Sequence, residues 1–254
     1  MRIAALCLAL LAATPVCAQA GPTQLRTEVL GSYPHDPQAF TQGLELHDGA
    51  LYESTGLNRR SSLRQVALET GAVLRKVDLP ADYFGEGLTW AKGELLQLTW
   101  QNGVALRWDA ATFTKRGESH YDGEGWGLCF DGEHLVQSDG SARLVFRDAA
   151  TFAPVRTVAV TENGQPVRNL NELECVGDAV YANIWLTDRI VAIAPLSGVV
   201  RAEIDAGNLL TADERRALDR EAILNGIAHD ASNDTFLITG KLWPKLFRVR
   251  FVPK

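Results

Sequence analysis

Apolar positions along the chain fall into short alternating runs separated by turn residues, and the runs recur as one repeated phrase. The copies are QGLELHDGALYEST, EGLTWAKGELLQLTW, WGLCFDGEHLVQSD, NELECVGDAVYANIW and NGIAHDASNDTFLITGK. Alternation with a period of two predicts half-buried strands rather than helices. Within each copy, Asp48-Gly49, Lys92-Gly93, Asp131-Gly132, Gly177-Asp178 or Asn233-Asp234 separates the two strands. These pairs suit tight hairpin turns, where positive φ favours Gly, Asn and Asp.

Leu44, Leu88, Leu128, Leu173 and Ile227 open the five copies. Their spacing of roughly 40 to 50 residues is the period of propeller blades. Each copy is followed by a further strand, turn and strand, as in SLRQVALETGAVLRKVDL and RLVFRDAATFAPVRTVAV. The expected fold is therefore all-β, a five-bladed β-propeller. A β-sandwich rarely repeats at this period, and a six-bladed ring would need about one more unit. The fifth unit ends near Phe251 one strand short, and the unassigned N-terminal segment QLRTEVLGSY is expected to complete it and close the ring. Between the fourth and fifth units, Thr211 and Glu214 form a capping-box pattern that predicts a short inserted amphipathic helix with Leu218 and Ile223 on its apolar side.

Composition changes this picture little. With 46% hydrophobic and 22% charged residues the 254-residue chain is an ordinary globular one. Its formal charge of −6 argues against a broad basic footprint, so no nucleic-acid partner is expected. Residues 1–20 place Arg2 before a short apolar run ending in Ala18-Gln19-Ala20, which reads as a cleaved export signal. The expected organisation is thus a signal over 1–20 and a single propeller domain over 21–254, periplasmic or secreted, without a membrane anchor. Export removes Cys7 and Cys17 and leaves Cys129 and Cys175. These occupy equivalent positions in successive inner strands, but equivalence does not guarantee the close approach a disulfide needs, so their pairing stays open.

Common catalytic signatures such as H-E-x-x-H, G-x-S-x-G and the P-loop are absent, and the five histidines are scattered without ligand spacing. What accumulates instead are unlike polar and aromatic residues at equivalent places near the inner strands, which propellers gather at one end of a central channel. They are Phe40 and Gln42, Phe84 and Glu86, Trp126, Asn169 and Asn171, and Asn225, with Trp100, Trp185 and Lys241 at the far ends of the following strands. Taken singly, the tryptophans suit packing between blades, the asparagines suit turns and Lys241 suits a solvated surface. Glu86 differs, because it sits between two glycines at a repeat position that holds Gln42, Trp126 and Asn171 elsewhere.

The motifs FTQGL, YFGEGLTW, GWGL, LNELE, ANIW, LNGIAHD and TGKLWPKLF, in order from Phe40 to Phe247, resemble those of the glutaminyl-peptide cyclotransferases of plants and bacteria. That resemblance implies a five-bladed propeller that converts an N-terminal glutaminyl residue of a peptide or protein to pyroglutamate, releasing ammonia without a cofactor or catalytic metal. It assigns catalysis to Glu86, Lys241, Asn171 and Gln42, and substrate binding to Phe40, Phe84, Trp100, Trp126 and Trp185. A monomer is expected. Two other readings stay open on the residues themselves. One is a metal-dependent propeller lactonase or hydrolase, which needs carboxylates and amides converging on a cation. The other is a non-catalytic periplasmic binding propeller, which explains the tryptophans but not Glu86 and Lys241.

Overall fold

The computed structural model describes residues 21–254, and the expected export signal over 1–20 lies outside the described residues. Strand β1 (Thr23–Pro34) precedes a four-stranded antiparallel sheet of β2 (Thr41–His47), β3 (Ala50–Thr55), β4 (Ser62–Val66) and β5 (Val73–Asp78). A second such sheet comprises β6 (Gly85–Ala91), β7 (Glu94–Thr99), β8 (Val104–Trp108) and β9 (Lys115–His120). The third comprises β10 (Leu128–Phe130), β11 (His134–Gln137), β12 (Arg143–Asp148) and β13 (Pro154–Ala159). A short ribbon of β14 (Thr161–Glu162) and β15 (Gln165–Pro166) follows.

The remaining strands form one eight-stranded sheet. They are β16 (Leu170–Val176), β17 (Ala179–Ile184), β18 (Arg189–Ile193), β19 (Val200–Asp205), β20 (Leu224–Asp230), β21 (Thr235–Gly240), β22 (Lys245–Pro253) and the N-terminal β1. Strand β1 joins the two halves of this sheet. It pairs antiparallel with β22 from Leu25↔Pro253 to Pro34↔Lys245, and parallel with β19 from Thr23↔Ala202 to Arg26↔Asp205.

Five strands, β2, β6, β10, β16 and β20, stand innermost, and each packs against the next until β20 meets β2. The recurring Gly-Leu of the sequence is explained by this contact. A Cβ on Gly87 would lie 2.5 Å from the Leu128 nitrogen, and one on Gly127 would lie 2.1 Å from the Asn171 oxygen, so neighbouring inner strands touch backbone to backbone. In the fourth unit Glu172 replaces the glycine. Its buried carboxylate accepts the Leu44 N–H at 3.2 Å and the Ile227 N–H at 2.8 Å, tying β16 to both β2 and β20. Burial pushes this carboxyl well above its usual range, against the pull of those two N–H groups. The apolar cores lie between adjacent sheets. Leu63, Leu88, Leu95, Leu106 and Trp108 fill one layer, and Leu144, Phe146, Leu173, Val191 and Ile193 fill another.

The turn residues follow the chemistry read from the sequence. Asp48-Gly49 and Lys92-Gly93 have positive φ at both positions, as two-residue hairpins require. The helix α1 (Ala212–Ala217) carries both hydrogen bonds of the Thr211–Glu214 capping box but no buried residue. It is shorter than the expected amphipathic helix, because Leu218 is already extended at ψ 158° and Ile223 lies beyond it.

Cys129 on β10 and Cys175 on β16 form a disulfide with Cα atoms 5.4 Å apart, within bridging distance because the inner strands converge. The bridge joins residues 46 apart in sequence, and a closed loop of that size contributes about 4 kcal/mol in the chain-entropy account. Reduction, or replacement of both cysteines by alanine, is expected to lower the melting temperature by roughly 10 °C. Two free thiols titrated in the unfolded, unreduced protein would contradict the bridge.

Candidate active site

The inner strands do not run regularly at their starts. Register shifts fall between Thr41 and Gly43, Gly85 and Leu88, Leu170 and Leu173, and Leu224 and Ile227. A bulge adds a residue to one strand and re-aims its side chain, a device common beside functional sites. Gln42, Glu86, Asn171 and Asn225 lie inside these bulges, and all four are buried polar side chains.

A cavity of about 370 Å³ opens over this end of the inner strands, within the usual size range of small-ligand pockets. Phe40, Gln42, Phe84, Glu86, Trp100, Trp126, Asn171, Trp185 and Lys241 all line it. Leu57, Leu186, Arg220, Glu221 and Ile223 complete the lining. Asn225 lies beneath, donating from Nδ2 to the Thr41 carbonyl at 3.0 Å and to Gln42 Oε1 at 3.2 Å. Gln42 Nε2 in turn donates to Glu86 Oε1 at 2.8 Å, so an amide relay fixes the carboxylate from below. Asn169 is not part of the cavity. It is exposed and sits just before β16 at φ 63°, a left-handed conformation that asparagine tolerates.

Two buried polar atoms of the lining have no hydrogen-bond partner among the described residues: Glu86 Oε2, an acceptor, and Asn171 Nδ2, a donor. Such atoms are costly unless something binds them. Burial pushes the Glu86 carboxyl well above its ordinary value of 4.5; the Lys241 charge pulls it back in part and Glu124 adds to the rise. Burial lowers Lys241 below its ordinary value of 10.5, against the attraction of Glu86 and Glu221. Both groups are thus held nearer their neutral forms than either would be in water. The Lys241 ammonium lies 4.9 Å from the centre of the Phe40 ring, a favourable cation–π position.

The aromatic walls form two edge-to-face groups. Phe84 packs against Phe40 at 6.0 Å and Trp100 at 5.6 Å between ring centres, while Trp126 packs against Trp185 at 5.5 Å. Glu124 couples the two groups. Its Oε2 accepts Trp100 Nε1 at 2.8 Å and Trp126 Nε1 at 2.9 Å, and its Oε1 accepts Gln101 Nε2 at 2.9 Å. Burial raises the Glu124 carboxyl, but these three donors outweigh it and hold the group below its usual value. The sequence pattern alone does not single out Glu124. Its signal is a charged residue two before Trp126 in GEGWGL, but its partner Trp100 is 24 residues away. The loop residues of the rim escaped as well, because they lie outside the repeat.

A family model described as glutamine cyclotransferase matches residues 2–251. A curated glutaminyl-peptide cyclotransferase from Arabidopsis thaliana is 41% identical over 231 residues, spanning 88% of this chain and 70% of its own length. The crystal structure of Myxococcus xanthus glutaminyl cyclase superimposes with a TM-score of 0.87 at 39% identity, over 92% of this chain and 99% of that one.

Proposed function

The chain belongs to the glutamine cyclotransferase family, and we propose that its cavity cyclises N-terminal glutamine by intramolecular proton transfer through Glu86. The enzyme converts N-terminal glutaminyl residues of peptides to pyroglutamate with release of ammonia. The observation that carries the mechanism is the pair of unpartnered polar atoms inside the aromatic walls. Glu86 Oε2 is a free acceptor for the α-ammonium, and Asn171 Nδ2 is a free donor for the γ-amide oxygen.

The reaction makes a bond from the α-nitrogen to the γ-carbonyl carbon and breaks the bond from that carbon to the amide nitrogen. An α-amine of pKa near ~8 arrives mostly as the cation and must shed a proton before it attacks. A carboxyl raised by burial is matched to this task, since base strength works best near the operating pH. Glu86 takes one proton, the amine attacks, and Glu86 hands that proton to the departing nitrogen. The ring nitrogen then returns a second proton to the carboxylate, which passes it to ammonia, leaving Glu86 as it began. Lys241 and Asn171 stabilise the oxyanion. Gln42, already donating to Glu86, is the positioning group for the carboxylate. The aromatic walls fold the side chain back into attacking geometry, which is where intramolecular reactions gain most of their rate. Glu124 locks two of those walls.

The same reading takes the five innermost strands as the inner strands of five blades. The eight-stranded sheet is then two blades joined by β1, and α1 is an insertion between the last two. Residues 1–20 are the export signal of a periplasmic or secreted monomer. Among the described residues no helix is long and apolar enough to cross a membrane. Among the described residues no group of three His, Cys, Asp or Glu side chains converges as a ligand set. Purified protein stripped with a chelator is expected to release ammonia from a Gln-initiated dipeptide at the untreated rate. Loss of turnover in a folded sample, restored by zinc or calcium, would reverse the metal-free part of the proposal.

A further inference from the structure

A second cavity, of about 360 Å³, adjoins the pocket and is polar where the first is aromatic. Leu57 lines both. Gly56 lines the second, and a Cβ on it would lie 2.3 Å from the Phe84 ring and 3.1 Å from Gln42 Cγ of the first. The partition is therefore one residue thick. Both cavities open at the same end of the first sheet, where β2 and β4 begin and β3 and β5 end.

The second cavity holds more positive than negative charge. Arg64 at its base is committed to Asp36 at 2.7 Å and Glu53 at 3.8 Å, and Lys76 to Asp78 at 2.7 Å. Arg59 and Arg60 at its edge are exposed, and among the described residues neither guanidinium meets a carboxylate. Their loop is built rather than slack. Leu57 at φ 81° and Arg59 at φ 68° adopt a left-handed conformation rare for such residues, one that persists only where the surroundings enforce it. The Arg59 N–H donates to the Ala81 carbonyl at 3.0 Å and the Arg60 N–H to the Leu57 carbonyl at 2.9 Å.

We propose that this cleft is an extended substrate site that receives acidic side chains a few residues after the N-terminal glutamine, with Arg59 and Arg60 meeting their carboxylates. The inference rests on the cyclotransferase reading of the first pocket. An extended peptide advances roughly 3.3 to 3.6 Å per residue, so a chain leaving that pocket across Leu57 brings about its third to sixth residues over the cleft. The guanidinium fork matches a carboxylate in shape as well as charge. On a chain of net charge −6, a local cationic edge also offsets the repulsion an acidic substrate meets elsewhere.

The test compares kcat/KM for Gln-Ala-Ala-Glu-Glu-Ala with that for the same peptide carrying Ala-Ala or Lys-Lys in place of Glu-Glu. Gln-Ala serves as the short reference. Parent enzyme at low salt is expected to favour the acidic peptide over the neutral one by about fivefold to tenfold, mainly through KM, the range two exposed ion pairs supply. The preference should fall below about twofold in R59A/R60A and at high salt, and survive in R59K/R60K, with Gln-Ala turnover unchanged throughout. Equal kcat/KM for acidic and neutral peptides in the parent overturns the proposal, as does a preference that persists in a folded R59A/R60A enzyme. If no glutaminyl peptide is cyclised, Gln-Ala included, the underlying reading fails and the extended site fails with it.

Discussion

Glu86→Gln is expected to fold normally and to lose about 10² to 10⁴ in kcat, the contribution typical of a general acid or base. The substitution isolates the proton. A glutamine fits the same space, and its oxygen can still accept from Gln42 Nε2, now 2.8 Å from Glu86 Oε1. Stability should hold or rise, because an ionisable carboxyl that burial holds well above its ordinary pKa is replaced by a neutral amide. KM should rise too, since the cationic α-amine loses its anionic partner. If Glu86 served only the architecture of the inner strand, turnover would stay near the parent value. A folded variant retaining more than about a tenth of the parent kcat contradicts the proton-transfer role.

Lys241→Met is expected to cost about 10² to 10³ in kcat, as the loss of one oxyanion donor does elsewhere. Methionine keeps the unbranched chain that packs beside Phe40 and removes only the ammonium. Without the ammonium a buried Glu86 carboxylate is left uncompensated, so any fall in melting temperature should be smallest at acid pH, where that carboxyl is neutral. The electrostatics give a second readout. The Lys241 charge draws the Glu86 carboxyl downward, so without it the carboxyl should titrate at still higher pH. The acid limb of the pH–rate profile in Lys241→Met is therefore expected to move toward higher pH than in the parent. An acid limb that does not move, with kcat near normal, would remove Lys241 from the site's chemistry.

Much of the site was legible because a repeat makes unlike residues comparable. Gln42, Glu86 and Asn171 share one position in a pattern that is otherwise Gly and Leu, and the bulges at that position turn all three toward one cavity. Lys241 and the tryptophans stand out for the opposite reason, being large or charged groups at strand ends. What the pattern cannot carry is contact between residues distant in sequence. Glu124 reads as a surface acid until Trp100 is brought beside it. The disulfide was undecided until the approach of β10 and β16 was known. Asn225 belongs to the same repeat position, yet only its hydrogen bonds to Thr41 and Gln42 reveal that it supports the site from below rather than facing it. The expected helix runs too long because residues 212–222 contain no Gly or Pro to mark its end, whereas the chain leaves the helix at Leu218.

If Glu86 accepts the α-amine proton and returns it to the leaving nitrogen, the pH dependence of kcat/KM on a Gln-initiated dipeptide must report its titration. Only the carboxylate can accept a proton, so the rate must climb with pH through the pKa of Glu86 in the free enzyme. Burial sets that pKa well above the ordinary carboxylate value of 4.5. An acid limb centred above 4.5 is expected in the parent and is expected to be abolished in the residual activity of Glu86→Gln. A profile that stays flat down to pH 4.5, or an acid limb that survives unchanged in Glu86→Gln, would contradict the proton-transfer role.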